Sequence, residues 1–347
     1  MPIEARRVFR LALTVALALA GGYAMQLPLP YLVPLLALLL ASPPTPPIGL
    51  KSLPVLLMVL FVTLGVGLLL VPLLQNYAFV GVLVVALGLY FSNSLALRHG
   101  KVLMGTLLTV GLTLISVAGL ASYQLATTVI HTFITGVALA VACQWVVYPW
   151  FPEDDAPRQS GKPTVEARGD SGWLAARATL VVLPAYLLAL SNPAAYLPVI
   201  MKAASLGQQD SVTSADHAGR ELLGSTFLGG CFAILLWFGL KLCPGLWMYF
   251  LWMLSFGLYF AARFYGVIAS RYPPSFWLNT AVTTLIMLGP AVQDSANSKD
   301  VYQAFAVRMG LFVALTLYAW LAIRLLERWR TQTTVRTTVS ATAMERT

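Results

Sequence analysis

Long apolar stretches separated by short polar segments dominate the sequence. A helix needs roughly 20 apolar residues to cross about 30 Å of hydrocarbon, and ten stretches are long enough to do so. They cover residues 7–25, 53–74, 78–97, 102–120, 125–150, 173–191, 221–241, 246–268, 275–292 and 301–325. The pattern predicts an all-α polytopic membrane protein.

Two further apolar stretches, 28–42 and 193–206, are shorter and rich in proline. Each has about 15 residues and would span about 22 Å as a helix. If both cross the membrane and the N-terminus is cytoplasmic, nearly all Lys and Arg residues fall on the cytoplasmic side, as the positive-inside rule requires. If neither crosses, this bias is lost. The charges therefore predict about twelve transmembrane segments, cytoplasmic termini, and a short proline-broken second helix in each half.

Three matches relate the two halves of the chain in the same order. When all twelve stretches are counted in chain order, Arg10 lies near the start of the first and Arg177 near the start of the seventh. A Tyr-Leu pair with a nearby proline occurs in both short stretches. The sequence Gly-Leu-Tyr-Phe occurs at 88–91 and 257–260. Six segments per half predict two parallel repeats related by an axis along the membrane normal. The predicted domains are a first repeat (1–150), a cytoplasmic linker (151–172), a second repeat (173–330) and a disordered cytoplasmic tail (331–347).

Composition and charge agree with this class. The chain is 59% hydrophobic and 10% charged, whereas soluble domains carry about 25% charged residues. The net charge of +9 is spread singly between apolar stretches rather than clustered, so no nucleic-acid partner is predicted. The cysteines and histidines show no metal-ligand spacing, no carboxylate lies between Glu4 and Glu153, and no phosphate-binding loop is present. These features predict no metal, no cofactor and no enzymatic activity.

Polar residues concentrate between Asn192 and Gly230, and this segment supplies the first candidates for a transport site. Lys202 follows Pro198, where a broken helix could hold an organic anion between the ammonium group and free backbone N–H groups. The alternative is that Lys202 extends to the lipid headgroups. Arg308 in the last stretch either extends outward, lines an anion pathway or pairs across the bundle. The candidate substrate-pathway residues are Tyr31, Pro34, Tyr196, Pro198, Lys202 and Arg308.

Titratable groups near the membrane are candidates for proton coupling, and several other polar and small residues are candidates for helix packing. The alternative for the loop candidates is that they are simply solvated and have no role in coupling. For His131, the alternative is a hydrogen bond to a backbone carbonyl. Asn279 and the threonines that follow it are expected to form interhelical hydrogen bonds. The coupling candidates are His131, Asp210, Asp216 and His217, and the structural motif comprises Arg220, Gly224, Gly229 and Gly310.

Residues 220–230, with Gly224-Ser225-Thr226 after Arg220, and the triplet Arg308-Met309-Gly310 resemble motifs of a known family. They are similar to the fusaric-acid-resistance and aromatic acid exporter superfamily of bacterial inner-membrane proteins, over residues 5–330. The resemblance implies export of aromatic or other organic acids together with a periplasmic membrane-fusion protein. Two features depart from the family. A short linker replaces a large cytoplasmic domain, and His131 stands where an arginine is expected near Gly136.

Two hypotheses follow. The first is an inner-membrane secondary transporter that exports small organic, aromatic-type anions. Its partners would be the substrate, the lipid bilayer and the membrane-fusion protein, with a second copy of the chain as a further candidate. The alternative is a non-transporting membrane scaffold of an envelope complex, because the long stretches contain no carboxylate of the kind that proton-driven pumps usually place there.

Overall fold

The computed structural model describes residues 1–99, 102–153, 171–210, 215–296 and 300–344, and all regular secondary structure in these ranges is helical. Helix α5 (102–121) contains a π-helical turn, Gly111–Ile115, in its middle. The other helices are α1 Ile3–Ala24, α2 Leu32–Ala41, α3 Leu53–Asn76, α4 Ala78–His99, α6 Tyr123–Val147, α7 Ser171–Ser191, α8 Pro193–Asp210, α9 Ala215–Leu242, α10 Leu246–Phe264, α11 Pro274–Ala296 and α12 Val301–Met344. These twelve helices of the described residues coincide with the twelve apolar stretches.

Nine helices in the described ranges are long and apolar enough to cross a membrane. The other three are α2, α8 and α10. Large apolar side chains such as Phe61, Leu69 and Phe79 are exposed on the outside of the bundle. Extended apolar surface is unfavourable in water but suits contact with lipid tails. The chain is therefore a helical membrane protein.

The two proline-containing stretches form continuous helices, so the prediction of proline-broken helices is wrong. Helix α8 has 18 residues and runs through Pro198, while Pro193 occupies its first position. Helix α2 has 10 residues, about 15 Å of helix, with Pro34 in its first turn. A proline in the first turn removes no helical hydrogen bond, because those N–H groups have no intrahelical acceptor. Pro198 removes a single bond from a helix that packs along α7.

Several helix ends differ from the sequence prediction, among them those of α12 and α10. The backbone of α12 is helical to Met344, where a disordered tail from 331 is predicted. Extending an existing helix requires no new nucleation, so threonine-rich residues can continue it. Helix α10 ends before residue 268, because Gly266 adopts a left-handed φ of 76° directly after the last turn.

The loop after α2 returns to the end of the bundle at which α1 begins. The indole Nε1 of Trp145, near the end of α6, donates a hydrogen bond of 2.8 Å to the carbonyl of Ile48. At the same end, Arg6 Nη1 donates to the carbonyl of Pro152 at 3.2 Å. The start of α1, the loop between α2 and α3, and the end of α6 therefore lie together.

Helices from the two halves pack in equivalent pairs. Helix α1 packs along α10, and α4 packs along α7. Helix α2 contacts α11, and α8 contacts α5. Within the halves, α3 packs against α5 as α9 packs against α11, and α1 against α2 as α7 against α8. In each of these matched contacts, the helices of one pair lie six places away in chain order from the helices of the other.

Glu153, directly after α6, forms ion pairs with two arginines of α1. Arg7 Nε donates to Glu153 Oε1 at 2.7 Å, and Arg10 Nη1 lies 2.9 Å from Oε2. Burial by itself raises the pKa of the Glu153 carboxyl, but the hydrogen bond from Arg7 and the positive charge of Arg10 outweigh this effect. The pKa of Glu153 therefore lies below its ordinary value. The predicted linker begins with a carboxylate fixed to α1, whereas residues 154–170 lie outside the described ranges.

Acid is expected to weaken this link between α1 and α6. Because the pKa of Glu153 is lower in the folded state than in the unfolded state, its stabilising effect is fully present above the ordinary carboxyl pKa. It is lost as the pH falls through the lowered folded value. Melting temperatures of the purified protein between about pH 7 and about pH 3 should decrease less in Glu153→Gln, by the equivalent of about 1 kcal/mol or less. Identical slopes in both proteins would contradict the assignment.

Candidate functional site

A cavity of about 430 Å³ lies between the two halves of the helix bundle. Helices α2, α3, α5 and α6 form one side of its wall, and α8 and α11 form the other. Its volume falls within the range of about 300–1,000 Å³ that small-molecule sites occupy. Representative lining residues are Leu36, Leu60, Val110, Phe133 and Val137 from the first half, and Ile200, Met201, Ala204, Val282 and Ile286 from the second.

The wall of this cavity is almost entirely apolar. Its polar side chains are those of Thr45, Thr106 and Thr113, and no charged side chain lines it among the residues that the structure describes. An apolar wall with few polar groups favours a ligand with an aromatic or aliphatic body. The lining also includes Pro43 and Ile48 of the loop after α2, so the cavity extends toward the end of the bundle where α1 begins.

Lys202 is completely buried beside the cavity. Its neighbour Met201 lines the cavity, whereas the Lys202 ammonium group contacts α11. Nζ donates to Asn279 Oδ1 at 2.9 Å and to Thr283 Oγ1 at 2.7 Å. Asn279 Nδ2 in turn donates to Ser225 Oγ in α9 at 2.5 Å. This Lys202 cluster connects α8, α11 and α9.

The cluster decides between the interpretations of Lys202 that the sequence left open. The hydrogen-bond partners of its Nζ in the described part of the chain are neutral, and none of the ion pairs found there includes it. The interpretation that Lys202 extends to the headgroups is wrong, and the interhelical role predicted for Asn279 and Thr283 is confirmed. Side-chain oxygens of α11, rather than free backbone groups of a broken helix, surround the ammonium group.

Arg308 is paired with a carboxylate that sequence analysis did not single out. Its Nη2 forms an ion pair with Asp294 Oδ2 near the end of α11. Asp294 lies just beyond the apolar stretch 275–292, which is why it was not counted inside the membrane. Of the alternatives for Arg308, pairing across the bundle is confirmed. Asp294 therefore balances the charge of Arg308, while Arg308 Nη1 has no hydrogen-bond partner among the described residues.

The other predicted pathway residues lie near the starts of α2 and α8 and do not line the cavity. Tyr31, Pro34 and Pro198 are buried, and Tyr196 is half-buried. Tyr31 packs against Gly289 of α11. The cavity is instead lined by residues further along the same helices. These are Leu35, Leu36, Leu39 and Leu40 in α2 and Ile200, Met201 and Ala204 in α8. The sequence therefore identified the correct helices but not the correct positions on them.

His131, a candidate for proton coupling, is exposed on the outer surface of α6. It does not line the cavity. The structure describes the backbones of the other three coupling candidates and of one motif residue as helical, but it does not describe their side chains. These residues are Asp210, Asp216, His217 and Arg220.

The three motif glycines differ in their packing. A Cβ atom at Gly229 would lie 2.8 Å from the carbonyl oxygen of Thr280, so this glycine permits close approach of α9 and α11. At Gly224 a Cβ atom would be 3.1 Å from the ring of Phe276. Gly310 faces open space. Close helix packing is therefore confirmed for Gly229.

These features define a polytopic helical membrane protein with a ligand-sized cavity between its halves. Residues 7–147 match the model of a protein family described as a protein of unknown function, DUF2955. The match runs from the second turn of α1 to the last residue of α6 and includes the first-half wall of the cavity. No curated protein and no solved structure matches the chain.

Proposed function

We propose that the protein is a secondary transporter that carries small organic acids with an apolar, aromatic-type body across the bacterial inner membrane. The observation that carries this proposal is the cavity of about 430 Å³ between the two halves. Small-molecule sites are typically concave, mainly apolar spaces of this size between helices. Secondary transporters bind their substrates at the interface between their halves. A scaffold would have no need for such a space.

The two halves, in this proposal, are parallel six-helix repeats that move against each other around the cavity. The equivalent pairs α1–α10 and α4–α7 support this arrangement, as do the matching sequences in each half. Because both halves contribute to the cavity wall, a rocking motion between them would open the cavity first to one side of the membrane and then to the other.

The orientation of the chain and the direction of transport are parts of the same proposal. Arg6, Arg7 and Arg10 stand at the start of α1, and the positive-inside rule places this end in the cytoplasm. The cavity extends toward that end through the loop after α2. A substrate would then enter from the cytoplasm, which fits export. The membrane-fusion partner rests on the resemblance to aromatic acid exporters.

Filling the cavity is expected to block transport. Val137→Phe adds volume to the cavity wall in α6, whereas Val146→Phe makes the same change at a position of α6 that is 62% exposed. In liposomes with a pH gradient, Val137→Phe should reduce the initial uptake of labelled aromatic carboxylates about tenfold or more. Val146→Phe should transport like the unchanged protein.

Two outcomes would contradict the proposal. Equal uptake by Val137→Phe and Val146→Phe would show that the substrate does not pass through the cavity. An absence of acid flux for every aromatic carboxylate tested, by protein that unfolds cooperatively and is correctly inserted, would favour the scaffold instead.

A further inference from the structure

A small polar pocket adjoins the apolar cavity at the end of the bundle where α1 begins. Thr45 lines both spaces. The pocket encloses about 10 Å³, which is close to the space of one water molecule or one carboxylate oxygen. Its other lining residues are Arg10, Ala41, Pro47, Gln144 and Tyr148.

Two buried hydrogen-bond donors at this pocket have no acceptor within the described part of the chain. Arg10 is 5% exposed and Gln144 is 7% exposed. Arg10 Nη2 and Gln144 Nε2 both lack a hydrogen-bond partner there. Buried donors in folded proteins are nearly always paired, because an unmet donor loses its hydrogen bonds to water without replacement. Two of them beside one pocket indicate that an acceptor belongs between them.

The charges around the pocket favour a negatively charged acceptor. Arg7 and Arg10 share one carboxylate, Glu153, so this described group carries an excess positive charge. Arg10 Nη1 faces Glu153 at 2.9 Å, which leaves Nη2 for another partner. The Arg10 guanidinium lies 5.8 Å from the centre of the Tyr148 ring, a cation–π contact that helps to hold it in place.

We propose that Arg10 and Gln144 bind the acidic head group of the transported molecule while its apolar body occupies the adjoining cavity. This inference rests on the proposed transport function and assigns the residues that bind the acid group of its substrate. The shared wall at Thr45 places head group and body side by side. Arginine and a side-chain amide together offer the directed N–H groups that a carboxylate accepts.

The sequence pattern by itself does not indicate that Arg10 or Gln144 binds an acidic head group. Arg10 stood out only as a charge that marks orientation and the repeat, and Gln144 was not distinguished from other polar residues at helix ends. The signal that identifies them is the pair of unpartnered donors beside the cavity, and it exists only in the folded chain. Lys202, the cation that the sequence favoured, is enclosed by its own partners.

The test compares an acid with its neutral counterpart. Binding of 1-naphthoate and of 1-naphthylmethanol to the purified full-length protein in lipid nanodiscs would be measured by titration. Gln144→Glu has nearly the same shape but puts a carboxylate into the pocket. It should weaken naphthoate binding about 10- to 100-fold and change binding of the alcohol less than about twofold. Arg10→Gln should show the same selective loss.

Gln124→Glu is the matched control. It makes the same change at an exposed position near the start of α6 that does not line the pocket, so this variant should bind naphthoate with an affinity within about twofold of the unchanged protein. If Arg10→Gln does not fold, the proposal is tested by the nearly isosteric Gln144→Glu variant alone. A melting temperature close to that of the unchanged protein would show that this variant is folded.

Four results would overturn the proposal. Equal naphthoate affinity in Gln144→Glu and the unchanged protein would mean that the pocket holds a buried water only. Tighter binding of the alcohol than of the acid would exclude an acid-binding site. If both compounds bind equally and Val137→Phe abolishes binding of both, only the head-group assignment fails. If neither compound binds, the head-group assignment fails, and the flux measurements with the other aromatic carboxylates decide the transport proposal.

Discussion

Gly67→Ala is expected to destabilise the protein by about 3 kcal/mol or more. Gly67 in α3 lies directly against the backbone of Gly111 in the π-helical turn of α5, and a Cβ atom there would overlap the carbonyl group of Gly111. A flexible side chain could move away from such a contact, but the backbone of a packed helix cannot. The two helices would have to separate along their whole interface.

Gly65→Ala provides the matched control for this prediction. Gly65 lies in the same helix, and a Cβ atom there would meet no other atom within 4 Å. Alanine favours the helix by up to about 1 kcal/mol relative to glycine, so this variant should be as stable as the unchanged protein or slightly more stable. Thermal unfolding followed by size-exclusion chromatography would compare them. Similar melting temperatures for the two variants would show that α3 and α5 do not approach as described.

Asn279→Leu is expected to cost about 2–3 kcal/mol of stability. The change removes the oxygen that accepts from Lys202 and the amide that donates to Ser225, which leaves a buried ammonium group with fewer partners. An uncompensated buried charge is far more costly than a lost hydrogen bond between neutral groups. The melting temperature should therefore fall strongly, and α8 should become more susceptible to proteolysis.

The double variant Lys202→Met/Asn279→Leu tests the cause. When both partners become apolar, no charge remains to be satisfied, so the double variant should be more stable than Asn279→Leu alone. If the two losses simply add, the Lys202 cluster does not act as a unit. Lys202→Met should also bind naphthoate about as well as the unchanged protein. A selective loss of acid binding in that variant would return the role of anion site to Lys202.

The positions of the helices could be predicted because hydrophobicity is a local property. All twelve apolar stretches became helices within the described ranges, and the differences lie at their ends. Helix α9 begins at Ala215 rather than 221, since polar residues can extend a helix beyond the hydrocarbon. The prolines of α2 and α8 misled the prediction because their effect depends on where the helix begins. A proline near the first turn removes few hydrogen bonds, and even Pro184, well inside α7, leaves that helix continuous.

The partners of the polar residues could not be predicted. Asn279 donates to Ser225, 54 residues earlier in the chain, and accepts from Lys202, 77 residues earlier. One residue of shift along a helix turns a side chain by about 100°. Without knowledge of how each helix is rotated, the sequence cannot say whether a cation faces a carboxylate, a neutral amide or lipid. Arg308 was for this reason treated as a candidate for an anion pathway, although Asp294 balances its charge.

By itself, the sequence determined that this is a helical membrane protein and where its helices run. Each of these properties follows from apolar character summed over about 20 neighbouring residues. Only the tertiary structure decided that the ligand-sized cavity adjoins Arg10 and Gln144, while Lys202 is bound by Asn279 and Thr283. Cavities and unpaired donors arise from the packing of helices that are distant in sequence, because packing alone determines which side chains meet and which space stays empty.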